Sequence, residues 1–175
     1  MDQRDEQEFA EYFMARRDAV RRTAYLICGD WHRADDLAQT AFVSLHRRWR
    51  RIRDKRALDA YVRRSLMRAA IDESRRPWRR EHAVEELPDT SSANGPEDTV
   101  GNAVASRSAL VDGLQRVPPR QRAVLVLRFL EGQSVADVAT ALNCTEGTVK
   151  SQTARGLDTL RAALGDALDD LRPAW

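Results

Sequence analysis

Residues 134–160, SVADVATALNCTEGTVKSQTARGLDTL, decide the fold of the C-terminal half of the chain. Ser134 is followed three residues later by Asp137, a spacing typical of the capping box that begins a helix. Asn143 marks a tight turn, and Thr145 is placed to cap a second helix. Helical spacing predicts which residues face inward on the two helices: Val135, Val138, Ala139, Leu142, Val149, Thr153, Leu157, Leu160 and Leu164. The stretch therefore predicts a helix-turn-helix.

The second of these helices carries polar side chains on the side opposite its apolar residues. Such side chains near a helix N-terminus can reach base edges in the major groove of duplex DNA. Gly147 leaves the helix entry narrow where a backbone would approach DNA. An ordinary helical hairpin with a solvated outer face has the same pattern, so this stretch alone leaves both interpretations open. The candidate DNA-contacting residues are Thr145, Gly147, Thr148, Lys150, Ser151, Gln152 and Arg155.

Helical periodicity continues through the rest of the chain and predicts an all-α protein. Residues 9–28 form an amphipathic pattern that Gly29 ends, and Asp30 is placed to cap the next helix. Two further helices are expected near 58–66 and 67–76. We expect a helical domain at 1–82, a flexible acidic linker at 83–104, a helix-turn-helix domain at 105–165 and a short tail at 166–175.

Charge is segregated along the 175-residue chain, although its net charge is only +2. Between Arg47 and Arg80 there are 14 basic and 4 acidic residues, with Trp49 and Trp78 among them. Arginines interleaved with tryptophans suit single-stranded DNA, where phosphates take the charge and unstacked bases take the aromatic faces. Trp49 also lies on the apolar stripe of its helix, which favours packing over a DNA contact. A solvated helix face is the alternative for the basic block as a whole.

The sequence offers little for catalysis, metal binding or a membrane. Cys28 and Cys144 lack CxxC spacing, and Cys28 with His32 makes only a two-residue metal candidate. Asp35 and Asp36 point about 100° apart on a helix and have no nucleophile beside them, which disfavours acid–base work by the pair. No GxxxxGK loop, signal peptide or long apolar run is visible. We therefore expect a cytoplasmic protein that is not an enzyme and needs neither cofactor nor metal.

The C-terminal half resembles region four of bacterial sigma factors. The resemblance rests on VPPRQR at 117–122 and GTVKS at 147–151. It implies that this domain grips the upstream (−35) promoter element, with Arg120 among the contacts. A similar helix-turn-helix occurs in LuxR-type regulators. This half therefore leaves open a stand-alone regulator that binds duplex DNA, with residues 1–80 as a sensor or dimer module.

The N-terminal half resembles region two of sigma factors of the extracytoplasmic-function (ECF) type. Gly29-Asp30, DDLAQ at 35–39 and Phe42 carry this resemblance. It implies that the helix docks on the clamp of the largest RNA polymerase subunit. The helical pattern agrees, because four of the implied residues share the face opposite the apolar stripe. The implied polymerase-binding residues are Asp35, Asp36, Leu37, Gln39, Phe42 and Val43.

The same resemblance implies that the basic block recognises and holds the melted downstream (−10) element. One extruded base would be captured by the loop at 52–58. The implied residues are Trp49, Arg53, Lys55, Arg56, Arg63, Arg64, Arg68, Asp72, Arg75, Arg76, Trp78, Arg79 and Arg80. Members of the family often carry Asn where this chain has Arg68, so the downstream base preference does not follow from the resemblance.

The energy of promoter opening indicates that the chain needs a partner. Melting about ten base pairs costs on the order of 14 kcal/mol, whereas a bidentate base contact supplies only about 1–3 kcal/mol. We expect core RNA polymerase as that partner, through its β′ clamp and β flap. Promoter DNA, duplex upstream and single-stranded downstream, is the second partner. The resemblance also allows an anti-sigma factor, and no membrane contact is expected. An ECF sigma factor is the leading hypothesis, ahead of the stand-alone regulator and of a metal-dependent enzyme.

Overall fold

The computed structural model describes residues 2–76 and 101–165, except for the side chains of 101–105. Within these two ranges the regular secondary structure is helical, with no strand, as the sequence predicted. No helix of the described ranges is both long and apolar enough to cross a bilayer. Part of the basic block, most of the expected linker and the tail lie outside the described residues, among them Trp78, Arg79 and Arg80.

Three helices make up the N-terminal half: α1 (Gln3–Cys28), α2 (Trp31–Arg48) and α3 (Leu58–Ser74). Short 3₁₀ turns occur between the last two. Gly29 ends α1 with a left-handed backbone (φ 73°), which glycine adopts without steric cost. The Asp30 carboxylate then accepts a hydrogen bond from the Arg33 backbone N–H at 2.7 Å and caps α2. Both predicted helix ends are confirmed.

Helix α3 corrects the prediction of two separate helices at 58–66 and 67–76. The structure has one continuous helix from Leu58 to Ser74. Leu66 and Met67, at the expected break, are both buried in the same core. No glycine or proline interrupts the hydrogen-bond ladder there, so the helix has no physical reason to end.

The C-terminal half contains α4 (Gly101–Arg116), α5 (Pro119–Leu125), α6 (Val135–Leu142) and α7 (Glu146–Leu164), with a π-helical turn at Val126–Leu130. Helix α4 begins inside the range predicted as linker. Helix α6 starts with a reciprocal capping box, in which the Ser134 hydroxyl accepts from the Asp137 N–H at 3.1 Å. Asn143 takes a left-handed conformation at the turn (φ 51°). The predicted helix-turn-helix is confirmed.

The two halves share one hydrophobic core. Helix α3 lies against α5 and α6, while α1 lies against α4, α5 and the π-helical turn. Leu45 and Leu66 from the N-terminal half belong to the same buried cluster as Leu114 and Leu127 from the C-terminal half. The described residues are therefore packed as a single body, in which the helix-turn-helix is fixed against α3.

Candidate functional site

The N-terminal turns of α7 present the polar surface that the sequence predicted. Val149 is fully buried and anchors the helix, while Lys150, Ser151 and Arg155 are exposed and Gln152 is partly exposed. The Thr145 hydroxyl accepts a hydrogen bond from the Thr148 N–H at 3.1 Å. Because the cap and the buried face fix the helix, its polar side chains point outward in a defined register.

Gly156 is a structural residue of this helix that the sequence analysis missed. It is buried, and a Cβ added there would lie 3.1 Å from Cγ of Leu125. The missing side chain lets α7 approach α5 closely. By contrast, a Cβ at Gly147 would meet only the Thr145 hydroxyl, at 3.8 Å. No contact inside the described chain therefore requires glycine at position 147.

Arg120 lies half-buried rather than fully on the outer surface. Its Nη2 donates to the carbonyl oxygen of Leu142 at 3.4 Å, at the C-terminal end of α6. The guanidinium therefore links the start of α5 to the turn of the helix-turn-helix. Its remaining donors leave the proposed contact with a phosphate open.

Asp35, Asp36, Gln39 and Val43 are all exposed on the outer face of α2, as the helical pattern predicted. Val43 is an exposed apolar side chain on an otherwise polar face (42% exposed). The Arg21 guanidinium donates to both carboxylate oxygens of Asp35, and it lies over the Trp31 ring, 4.4 Å from the ring centroid. Asp35 is thus already paired within the chain.

Leu37 and Phe42, assigned with these residues to polymerase binding, belong to the core instead. They are only 5% and 4% exposed. The Phe42 ring packs edge-on against Phe13, with the centroids 4.9 Å apart. Both positions fall on the apolar stripe of α2, so in this arrangement they orient the helix and cannot contact a partner directly. Their assignment to the contact surface was wrong.

Trp49 also lies in the core, which corrects its assignment as a DNA contact. The side chain is 2% exposed and packs edge-on against Phe9 at 5.2 Å between centroids. Its indole Nε1 is buried and makes no hydrogen bond within the described residues. The Lys55 Nζ lies over the ring at 3.9 Å and covers it from solvent. The packing interpretation is therefore the correct one for Trp49.

The remaining described residues that were assigned to −10 binding divide into two groups. Arg63 and Arg64 on α3 are half-buried, and the Arg63 Nη1 lies 3.8 Å from a carboxylate oxygen of Glu131 in the C-terminal half. The Arg64 Nε is buried and has no hydrogen-bond partner within the described residues. The exposed group is Arg53, Lys55, Arg56, Arg68, Asp72, Arg75 and Arg76. Six basic side chains and one acid of this assignment are therefore exposed, and one of the six, Lys55, already lies over the Trp49 ring.

Arg122 is the structural residue that sequence reasoning missed most clearly. Its guanidinium donates to the carbonyl oxygen of Ile27 at the end of α1, and to the Gln115 side-chain oxygen at 2.7 Å. It also donates to the backbone carbonyl of Val117 at 2.9 Å. Burial lowers the pKa of Arg122 to about 10, because the charged form loses water there. The only sequence signal was its place as the second of two arginines in the VPPRQR string.

The cysteines contribute no metal centre to this surface. Cys28 is buried, its Sγ donates to the carbonyl oxygen of Asp30 at 3.1 Å, and burial raises the pKa of its thiol. Among the residues that the structure describes, no group of three or more His, Cys, Asp or Glu side chains could hold a metal ion.

Comparison with known proteins identifies both halves of the chain. Residues 12–80 match sigma-70 region 2, and residues 107–160 match sigma-70 region 4. The match to region 2 leaves the hypothesis of a LuxR-like stand-alone regulator without support. In the solved structures, the sigma factor RpoE of Bartonella quintana, determined in complex with the anti-sigma factor NepR, has a similar fold. The TM-score is 0.71 at 20% identity, covering 91% of this chain and 98% of that one.

Curated relatives extend over nearly the whole chain. The RNA polymerase sigma-E factor of Streptomyces coelicolor is 40% identical over 157 residues, which cover 90% of this chain and 86% of the relative. The ECF RNA polymerase sigma factor SigM of Mycobacterium tuberculosis is 32% identical over 161 residues, covering 92% of this chain and 79% of the relative. With both regions present in the same order, the chain belongs to the sigma-70 family, as a sigma factor of the extracytoplasmic-function type.

Proposed function

We propose that this sigma factor binds core RNA polymerase through the outer face of α2 and directs it to promoters through α7 and α3. The observation that carries the proposal is the division of one chain into three surfaces of different chemistry. Two aspartates are exposed on α2, exposed basic side chains flank both ends of α3, and a capped polar helix start lies on α7. Each surface suits a different part of a transcription initiation complex.

Polymerase binding is assigned to Asp35, Asp36, Gln39 and Val43 on the outer face of α2. The carboxylate of Asp36 complements a basic partner, whereas that of Asp35 is already paired with Arg21. The exposed Val43 adds an apolar contact at the C-terminal end of this set. Leu37 and Phe42 act indirectly, because they fix the helix from inside the core. The partner surface we assign to this face is the β′ clamp, and the β flap is assigned to the C-terminal half.

DNA binding is assigned to two surfaces with different tasks. Lys150, Gln152 and Arg155 on α7 are placed to read the duplex −35 element, because their helix start can enter a major groove. The exposed basic side chains around α3 hold the phosphates of the melted −10 strand. Trp49 takes no direct part in this, since it is buried. The base-capturing role of the loop at 52–58 belongs to the same proposal.

The chain is proposed to act without catalysis of its own, in the cytoplasm where core polymerase works. Opening about ten base pairs costs on the order of 14 kcal/mol, which the polymerase must help to supply. RpoE of Bartonella quintana is described in complex with the anti-sigma factor NepR. By analogy of family, we include an anti-sigma factor among the proposed partners of this chain.

The proposal is tested by co-purification with core RNA polymerase, followed by run-off transcription. Asp36→Arg should abolish co-purification, because it places a positive charge on the acidic face, while the protein keeps its thermal stability to within about 1 kcal/mol. Asp158→Arg, at an exposed aspartate on α7, is the matched control and should still bind polymerase. If Asp36→Arg binds polymerase as tightly as the wild type, α2 is not the docking surface.

A further inference from the structure

The first turns of α1 are anchored against the segment that joins α2 to α3, residues 49–57, which we call the connecting segment. The Phe9 ring packs edge-on against Trp49, at the start of this segment, with the centroids 5.2 Å apart. It packs in the same way against His46 at 4.9 Å. Because Phe9 contacts both rings, the side chains next to it on α1 keep a defined position beside the connecting segment.

A second anchor fixes α1 just beyond the other end of the connecting segment. The Tyr12 hydroxyl donates to one carboxylate oxygen of Asp59 at 2.8 Å, and Arg16 Nη2 donates to the other at 2.9 Å. Asp59 lies in the first turn of α3, where the helix dipole also favours a negative charge. Contacts with α1 therefore bracket the connecting segment at its two ends.

Glu8 of α1 pairs with Lys55, a cation of the connecting segment that was assigned to the −10 strand. The Lys55 Nζ lies 3.4 Å from a carboxylate oxygen of Glu8 and 3.9 Å from the centroid of the Trp49 ring. Arg4 Nε donates to the other oxygen of Glu8 at 3.1 Å. Arg4 and Lys55 hold the pKa of the Glu8 carboxyl below its usual value, so the carboxylate is charged at neutral pH. The Lys55 ammonium therefore already has both an anion and an aromatic face as partners.

Asp5 makes a second and looser pair of the same kind with Arg50. Its carboxylate oxygen lies 3.7 Å from Arg50 Nε, and the Arg50 side chain is 71% exposed. A guanidinium has five N–H donors, so Arg50 can keep this pair and still contact a phosphate. Lys55 differs, because its charge is compact and a phosphate that reaches it meets the like charge of Glu8 at the same nitrogen. Lys55 is thus the cation on which α1 acts more strongly.

Competition with Glu8 changes what Lys55 contributes to DNA binding. A lysine that neutralises a phosphate strengthens binding because it releases a counterion from the DNA, and each such contact adds about 0.7 to the salt slope for a single strand. When Lys55 leaves Glu8, however, the freed carboxylate attracts a cation from solution. Release and uptake then offset each other, so the Lys55 contact adds little to the dependence of the affinity on salt.

We propose that Glu8 is a positioning residue for binding of the −10 strand: it holds Lys55 against Trp49 and occupies the place of a DNA phosphate until the strand displaces it. The inference rests on the proposed function, because Lys55 has this role only if the connecting segment contacts the melted strand. The attraction of the segment for single strands in general is therefore weaker than its basic side chains indicate. Tight binding then depends more on contacts with bases.

The test measures how the holoenzyme, assembled with the full chain, binds a fluorescent single-stranded DNA that carries the downstream element of a promoter it transcribes. Core polymerase alone is titrated with the same strand, so that its own binding is subtracted. Glu8→Gln should raise the affinity about twofold to fivefold, the range for an exposed ion pair, and steepen the slope of log affinity against log salt by about 0.7. A variant that is merely damaged would bind more weakly, so the sign of the change separates the two cases.

Glu11→Gln is the matched control, since it removes the same charge from α1 at a carboxylate that accepts from Gln7 on its own helix. It should leave the salt slope at the wild-type value. The steepening caused by Glu8→Gln should also be absent in a Lys55→Gln background, where no ammonium is left to be released. Thermal unfolding of each variant checks that the fold is kept.

An unchanged slope for Glu8→Gln would overturn the inference. So would an equal steepening by Glu11→Gln, which would make the effect one of net charge, or a steepening that persists without Lys55. A wild-type holoenzyme that binds the strand no better than core polymerase would overturn the proposed function, and this inference with it. Because the first three results require a holoenzyme that does bind the strand, the two kinds of failure are distinguishable.

Discussion

Replacing Trp49 separates a structural role from a DNA-binding role. The indole is 2% exposed and contacts the rings of Phe9 and Tyr12, at 5.2 and 6.0 Å between centroids. A side chain of this kind buries about 150–250 Å², which corresponds to about 4–6 kcal/mol at about 25 cal/mol per Å². Measured costs of Trp→Ala in cores run at about 3–5 kcal/mol. We therefore expect Trp49→Ala to lose about 4 kcal/mol of unfolding free energy.

The assay is thermal unfolding of the full chain, followed by transcription from the same preparations. At about 2–4 °C for each kcal/mol in a chain of this size, Trp49→Ala should lower Tm by roughly 8–16 °C. Trp49→Phe keeps an aromatic ring and removes a buried N–H that has no hydrogen bond within the described residues. We expect it to cost less than about 2 kcal/mol, since loss of ring volume is partly offset by loss of the unsatisfied donor.

Trp31→Ala is the matched control for these variants. Trp31 is half-buried and stacks on Tyr25 at 3.9 Å, so its removal should cost less than half of what Trp49→Ala costs. The reasoning is refuted if Trp49→Phe unfolds at the wild-type temperature and yet fails to open promoters. That outcome would mean that the indole leaves the core and contacts DNA in the initiation complex.

Three further predictions concern separate surfaces. Replacing Arg75 and Arg76 with alanine should weaken the salt dependence of promoter binding by the holoenzyme. The slope of log affinity against log salt should fall by about two units, one for each lost phosphate contact. An unchanged slope would mean that these two arginines are only solvated. Burial and a hydrogen bond to Asp59 raise the pKa of the Tyr12 phenol. Its contribution to the free energy of unfolding should therefore be present below about pH 10 and be lost as the pH rises towards the folded-state pKa. In denaturant titrations at high pH, Tyr12→Phe should not show this loss of stability. Gln152→Ala and Arg155→Ala should each change the consensus recovered from a promoter library randomised upstream. Each change should remove about 1–3 kcal/mol of discrimination at one base position. If both variants return the wild-type consensus, these side chains do not read bases.

Features set by neighbouring residues could be predicted from the sequence. Gly29 with Asp30, and Ser134 with Asp137, act within one turn of the chain, and both caps occur where they were predicted. The apolar stripe of α2 could be predicted for the same reason, because it depends only on residues three and four positions apart. The break expected within α3 was wrong because no residue between Leu58 and Ser74 forbids helix.

Residue roles that came from the resemblance were less reliable where they conflicted with burial. Leu37 and Phe42 belong to the string that resembles region two, Trp49 took its role from the same resemblance, and all three continue the apolar stripe of α2. The helical period alone places all three inside, which is where the structure has them. Where a resemblance assigns a contact role to a large apolar side chain that also fits the core pattern, the side chain is expected in the core, because exposing it to water costs free energy.

The contact between the halves could not be predicted, because it depends on packing rather than on local pattern. Thr23 and Glu131 are 108 positions apart, and in sequence they are an ordinary helical threonine and a glutamate before a glycine. Arg122 belongs to the string that resembles region four, but the sequence analysis assigned it no role of its own. In the structure its guanidinium donates to the carbonyl oxygens of Ile27 and Val117 and to the side-chain oxygen of Gln115. An arginine whose hydrogen bonds are all made within the chain has none to offer DNA without first releasing them.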